Sequence, residues 1–295
     1  MSEFTQQVIN GLALGSIYAL IALGYTMVYG IIKLINFAHG DVMMVGAYVG
    51  YFSITLFGTN LVVALIFSMV VTAILGVAID YLAYKPLRKS SRIAALITAI
   101  GVSLFLEYVF VWLFTPSSRS YTQNVISQKA YHFMANQVTI TGKDILILSV
   151  TVILMLLLQY TVKKTRVGKA MRAVSLDQEA ALLMGINVNR IISFTFAVGS
   201  ALAAAAGVLI GVYYNSIDPL MGIMPGLKAF VAAVLGGIGS IPGAVAGGYI
   251  LGILESLVSG YGSSLYRDAV AFGVLILILL IKPTGIFGQD TGEKV

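Results

Sequence analysis

The chain has 295 residues, 59% of them hydrophobic and 10% charged, with a mean hydropathy of +0.95 and a net charge of +6. Soluble globular chains carry about 25% charged residues, so this composition excludes a water-soluble globule and describes an integral membrane protein. The absence of cysteine excludes a disulfide framework and any cysteine-based metal or redox site.

In chain order, the leading MSEFTQQ is acidic and polar, and no small-residue cleavage site follows the first apolar run. Residues 8–30 therefore read as a permanent helix and not a cleaved signal peptide. Runs with one charge or none follow at 42–79, 93–118 (Glu107 only), 145–162, 191–217, 229–254 and 269–281. A bilayer core of about 30 Å takes about 20 helical residues. The 42–79 run holds two spans, divided at Gly58-Thr59-Asn60. The predicted spans are 8–30, 42–57, 61–80, 93–114, 145–162, 191–213, 242–259 and 265–282. A half-length apolar segment, Leu227 to Gly237, is left over and reads as re-entrant. The stretch ILILSVTVILMLLLQYTV does not alternate, which favours helices over a barrel. The expected fold is all-α: a polytopic helical bundle of about eight transmembrane helices plus a re-entrant half-helix, forming a single domain over 1–295.

Basic residues orient the bundle. Lys85, Arg88, Lys89 and Arg92 fill the 80–92 loop, and Lys163, Lys164, Arg166, Lys169, Arg172 and Arg190 fill the 163–190 loop. Both loops are expected in the cytoplasm. The 115–144 loop, with Arg119, Lys129 and Lys143, then faces outward. Counting eight spans puts both termini outside, although Lys282 and Lys294 weigh against that for the C-terminus. The cytoplasmic loops account for most of the positive charge, so no nucleic-acid partner is needed.

No catalytic constellation is visible. Neither Gly142-Lys143 nor Gly168-Lys169 continues into a phosphate-binding loop, His39 and His132 are the only histidines, and neither HExxH nor Gly-x-Ser-x-Gly occurs. The chain is expected to have no catalytic residue, metal or cofactor; any ATP chemistry must come from another chain.

Three stretches carry functional signals. KKTRVGKAMRAVSLDQEAALLMGINVNR, the 163–190 loop, is amphipathic: Ala170, Val174 and Ala181 lie near helical spacing with Leu182 and Leu183. It reads either as a helix docking into a cytoplasmic partner or as one resting on its own bundle. Asn36-Phe37-Ala38-His39-Gly40-Asp41 reads either as a broken-helix turn in a translocation path or as a turn in which Asn36 or Asp41 caps the next span. Gly236-Gly237-Ile238-Gly239-Ser240, followed by Pro242, interrupts a helix at membrane depth and could present free backbone groups to a substrate. Gly243, Gly247, Gly248 and Gly252 read as close helix packing. Glu107 and Glu255 are costly in hydrocarbon and read either as partners of a substrate ammonium or, in preference, as structural or interface residues, Glu255 facing a basic residue of a partner subunit. Arg267 and Asp268 read as a local charge pair.

Glu179-Ala180-Ala181, three residues, then Gly185 resembles the EAA coupling loop of ABC-importer permeases, without the Leu-Pro that ends the general pattern. Thr165 to Ala173, followed by Gly185-Ile186-Asn187, resembles the branched-chain amino acid permease family. So do Asn36–Asp41, Lys228–Ala244 and Lys282-Pro283-Thr284-Gly285, and the likeness runs from Gly11 to Phe287. A fainter likeness links 24–49 to sugar ABC permeases. The resemblance implies a permease subunit of an ATP-binding-cassette importer for branched-chain amino acids in the inner membrane. Its partners would be a second homologous permease subunit, two cytoplasmic ATPase subunits and a periplasmic amino-acid-binding protein. Arg172, Glu179, Ala180, Ala181 and Gly185 would then form the coupling helix region at the ATPase. Asn36, His39, Asp41, Gly236, Gly237, Gly239 and Ser240 would face one another across a central substrate cavity. Members of the resembling family also move urea, short amides or other amino acids. An ion-coupled secondary transporter, with Glu107 or Glu255 as coupling acid, and a membrane enzyme or scaffold are the competing classes; the EAA-like loop and the missing catalytic constellation disfavour them.

Overall fold

A computed structural model describes residues 2–88, 90–121, 130–133 and 137–288. The expectations placed on Lys89, Lys129, Lys294 and the side chain of Arg92 lie outside the described residues. Eight helices there are long and apolar enough to cross a membrane, and the protein is a multi-pass membrane bundle. The elements are α1 (Ser2–Ile32), α2 (His39–Phe57), α3 (Leu61–Ile79), α4 (Arg92–Phe114), β1 (Ala130–Phe133), β2 (Val138–Thr141), α5 (Gly142–Lys164), α6 (Arg166–Leu176), α7 (Gln178–Leu183), α8 (Val188–Tyr214), α9 (Ile223–Gly236), α10 (Ile241–Tyr261) and α11 (Arg267–Ile281). The chain runs on from α3 through a π-turn, Asp80–Tyr84, and a 3-10 turn, Lys85–Leu87. The antiparallel hairpin β1–β2 lies within the 115–144 loop and was not foreseen.

Local chemistry sets the boundaries. Gly58 ends α2 with φ at 59°, and the Asn60 side chain accepts the Val63 amide at 2.9 Å to start α3. Thr141 and Asp144 form a reciprocal capping box at the start of α5.

The core is built on α1, buried along nearly its whole length. With little hydrophobic drive between helices in lipid, close backbone approach supplies the contact energy. Gly11 and Gly15 of α1 accordingly meet Gly252, Ile253 and Tyr249 of α10 backbone to backbone. Helix α8 fills the other side with Ala203–Ala206, all buried. The outward faces of α3, α4, α5 and α11 present Ile66, Phe67, Trp112, Leu157 and Leu280, a surface suited to acyl chains.

The leftover segment changes the topology. Ile217, just before α9, pairs through both backbone bonds with Arg119 of the 115–144 loop, each at 2.8 Å. Gly239, just after α9, lines a cavity with Gly30, Arg172 and Ser175 at the end carrying the basic 163–190 loop. The chain from 217 to 239 therefore crosses the bundle, with α9 supplying 14 residues of it, about 21 Å, antiparallel to α10, with Gly236 against Gly243 and Ala232 against Gly247. This extra crossing puts the described ends of the chain, Ser2 and Gly288, at opposite ends of the bundle, against the expectation of a shared outer side. Residues 282–288 return to the basic end, where Gly285 packs on Gly237, and Lys282 joins the other basic residues there.

Single cysteines in this cysteine-free chain test the arrangement. A cysteine at Ser120 is expected to react with an impermeant thiol reagent from outside, and one at exposed Lys282 only after permeabilisation. Outside labelling of both would restore the eight-crossing topology.

Candidate functional site

The chain leaves α1 at Ile32 and re-enters the bundle before α2 begins. A Cβ on Gly24 would strike the His39 imidazole, so α2 starts beside Gly24, eight residues or about 12 Å inside the end of α1. Asn36 holds the turn: its Oδ1 accepts the Ala38 amide at 3.1 Å and the Tyr84 hydroxyl at 2.7 Å, and its carbonyl accepts the His39 amide at 3.1 Å. Ala38 is the N-cap and no side chain caps α2, so the capping alternative for Asn36 and Asp41 does not hold. His39 is fully buried, its ring 4.7 Å from that of Tyr25. Asp41, 2% exposed, accepts the Ser103 hydroxyl of α4 on Oδ2, and Glu107 follows Ser103 by one turn on the same helix. Gly40 meets Gly222 and Gly226 at the start of α9 with no side chain between them.

In the second stretch, Gly237 adopts φ 101°, which only glycine holds without strain. Its amide stays bonded to Ala233 and Val234, and the last α9 carbonyls, of Leu235 and Gly236, accept the Ile286 and Phe287 amides at 2.9 and 3.0 Å. The Ser240 hydroxyl accepts the Gly243 amide at 3.2 Å and caps α10. These particular groups are committed to the protein itself, and among them is no amide or carbonyl of Ile238 or Gly239. Ile35, just before the first stretch, and Ile238, within the second, line one small pocket with Tyr25, Tyr29, Phe230 and Ala233, but the glycines of the two stretches sit apart. Gly40 bears on the first turn of α9, whereas 236–240 lies past its last turn.

At the basic end, a cavity of ≈ 100 Å³ brings Arg172 and Ser175 of α6 beside Gly30 and Gly239. Arg172 donates to the carbonyls of Val162 at 2.7 Å and Lys163 at 3.3 Å, closing the end of α5. The amphipathic segment is two helices, not one, because the Asp177 side chain accepts the Glu179 and Ala180 amides at 2.8 and 3.0 Å and starts α7 anew. Gly185, at φ 81°, ends it, with the Ile186 amide on the Ala181 carbonyl at 3.0 Å. Ala181 and Val174 face inward. Leu182 and Leu183, expected on the same apolar stripe, face outward with Met184, at 63%, 88% and 82% exposed. Glu179 and Ala180 are exposed beside them.

The sequence reading missed one buried network. Lys228 Nζ lies 3.0 Å from Glu255 Oε2 and 2.7 Å from Asp268 Oδ1, and Tyr18 donates to Glu255 Oε2 at 3.0 Å. Glu255 is thus paired inside its own chain, not with a partner subunit, and Asp268 pairs with Lys228, not with Arg267. Lys228 is the one basic residue between Arg190 and Arg267, a signal that could have found the pair.

Known proteins place the molecule. The family described as "Branched-chain amino acid transport system / permease component" matches residues 7–279. The chain belongs to this permease family. It is a transport permease and not an enzyme. The permease is 47% identical to the high-affinity branched-chain amino acid transport system permease protein LivH of Escherichia coli K12, over 99% of its own length and 98% of that protein. It is 45% identical, with the same coverage, to the corresponding permease BraD of Pseudomonas aeruginosa. PsaBC from Streptococcus pneumoniae, solved in complex with Fab, shares the fold alone, with a TM-score of 0.50 at 14% identity over 96% of this chain and 94% of that one.

Proposed function

We propose that this permease is one membrane-spanning subunit of an ATP-driven importer carrying branched-chain amino acids across the inner membrane, the whole chain acting as one transport domain. The carrying observation is end-to-end likeness, at 47% identity, to a protein named for that transport. A second homologous permease subunit, two cytoplasmic ATPases and a periplasmic binding protein complete the assembly in this reading. The permease brings no phosphate-binding loop, so hydrolysis belongs to the ATPases.

The exposed apolar edge Leu182, Leu183 and Met184, beside Glu179 and Ala180, supports assigning α7 as the element that enters the ATPase. Arg172 acts from behind, fixing α6 to α5, and Gly185 sets the turn that presents α7. Helix α6 shares its cavity with Gly30 and Gly239, so a push on α7 is delivered to the α9–α10 turn. Asn36, His39 and Asp41 form the break at the interior end of α2, which supports placing them on the substrate's route. Gly236, Gly237, Gly239 and Ser240 belong to the α9–α10 turn that receives this push.

Glu179→Lys is expected to lower leucine uptake per assembled complex at least about tenfold, the size of an interface hot spot, and to reduce co-purification of the ATPase. Gly185→Val should act in the same direction through strain at its positive φ, since the position is otherwise open. Normal uptake and co-purification by both variants would remove the coupling assignment. Uptake of urea or a short amide without leucine uptake would change the substrate.

A further inference from the structure

Two of the buried acids in this bundle are balanced by a base. Asp80 has Arg88 at 2.5 Å, and Glu255 has Lys228. Asp144 is spent on the capping box at the start of α5. Asp41 and Glu107 are the exception. Both are buried, Glu107 stands one helical turn after Ser103, whose hydroxyl Asp41 accepts, and no ion pair among the described residues involves either. Asp41 Oδ1 is buried without a hydrogen-bond partner. An unbalanced acid pair in a low-dielectric interior is a standing electrostatic cost, and a cation would relieve it.

The surroundings indicate which cation. Asp41 lies in the first turn of α2, about 24 Å before that helix ends at Phe57. Glu107 lies on α4 about 10 Å before Phe114. Asp41 is thus well inside the bundle, at the break where α2 begins, and Glu107 lies in the outer half of α4. Oδ1 points to the seam between α2 and α9, where a Cβ on Gly222 would sit 2.9 Å from it. Gly40 meets Gly222 and Gly226 across this seam with no side chain between them, so a small separation of α2 from α9 uncovers the carboxylate. A metal ion needs more ligands than this, and no group of three or more His, Cys, Asp or Glu suited to one occurs among the described residues. A primary ammonium needs acceptors alone and has three donors to give. Asp41 Oδ1, the Glu107 carboxyl and the Ser103 oxygen supply them.

We propose that Asp41 and Glu107, opened by separation of α2 from α9, bind the α-ammonium of the transported amino acid during its passage. This rests on the permease reading above. It divides recognition so that the cargo's positive end is held by carboxylates of this chain inside the bundle.

The test uses the whole importer, reconstituted with its binding protein and ATPases, and the Asp41→Asn/Glu107→Gln double variant. Removing an unbalanced buried pair is expected to raise the subunit's thermal midpoint. Leucine uptake per assembled complex is expected to fall at least about tenfold, the worth of one charge-assisted hydrogen bond. Greater heat stability with lost uptake is what a binding role produces. Normal uptake by the assembled double variant would mean that the acids merely share a proton, and would overturn the inference while leaving the permease reading intact. Should the double variant fail to assemble, a hydrophobic carbodiimide on the wild-type importer decides. Modification of Glu107 is expected to slow when leucine is being transported, and a rate indifferent to leucine would overturn the inference. Absence of leucine uptake by the wild-type importer itself would overturn the permease reading beneath it.

Discussion

Replacing Lys228 by methionine is expected to destabilise the folded subunit by about 3–5 kcal/mol, the usual cost of removing one partner from a buried ion pair. Lys228 Nζ is shared between Glu255 Oε2 and Asp268 Oδ1 at 3.0 and 2.7 Å, and Glu255 is only 1% exposed. Without the ammonium, Glu255 keeps the Tyr18 hydroxyl but faces Asp268 with no intervening charge. The Lys228→Met/Glu255→Gln double variant should recover most of the loss, because the charge left stranded is then gone. Thermal unfolding in detergent, followed by the single tryptophan, Trp112, measures both. A double variant as unstable as the single one would mean that the lysine acts through packing of its stem and not through its charge.

Leucine at Gly247 is expected to prevent the subunit from accumulating in the membrane. A Cβ there falls on the Ala232 carbonyl oxygen and close to the Gly236 amide, both main-chain atoms that cannot rotate away. Overpacking a well-filled core costs about 1–3 kcal/mol when side chains can adjust; here α9 and α10 would have to part. Leucine at Gly101 is the control, since nothing lies within 4 Å of a Cβ at that position. It should leave membrane yield unchanged or raise it. Equal yields for the two variants would show that the α9–α10 contact is not needed for folding.

Much of this architecture was legible because a bilayer imposes length and polarity on every span. The runs at 8–30 and 61–80, and the Gly58-Thr59-Asn60 turn, follow from that constraint, and the helices fall where those residues put them. The constraint fails for α9, whose 14 residues are too few to read as a span of about 20. It crosses nonetheless because irregular chain at both ends, from 215 to 222 and from 237 to 240, covers the remaining depth inside protein. Pairing was the other blind spot. Lys228 and Glu255 are 27 positions apart, and Tyr18 is 237 from Glu255, separations at which no local pattern names a partner. For the candidate site, the cost of polar residues in lipid drew attention to Asn36, His39, Asp41 and Glu107. That Asp41 and Glu107 stand together depends on how α2 and α4 pack, which the sequence alone did not reveal. The carbonyls of Leu235 and Gly236 pose the same difficulty, since no local pattern announces that the amides of Ile286 and Phe287 close them.

Those two amides bear on how the subunit is made. The carbonyls of Leu235 and Gly236 are closed by residues that leave the ribosome about 50 positions later, a gap of a few seconds at roughly 5–20 residues per second. Until those residues are made, the Leu235 and Gly236 carbonyls lack the partners they have in the finished fold. Either water at the membrane boundary or the insertion machinery must satisfy these acceptors until the final segment arrives. The closing stitch of the fold is therefore sewn last, from the C-terminal side, and only after the ninth crossing has been laid down.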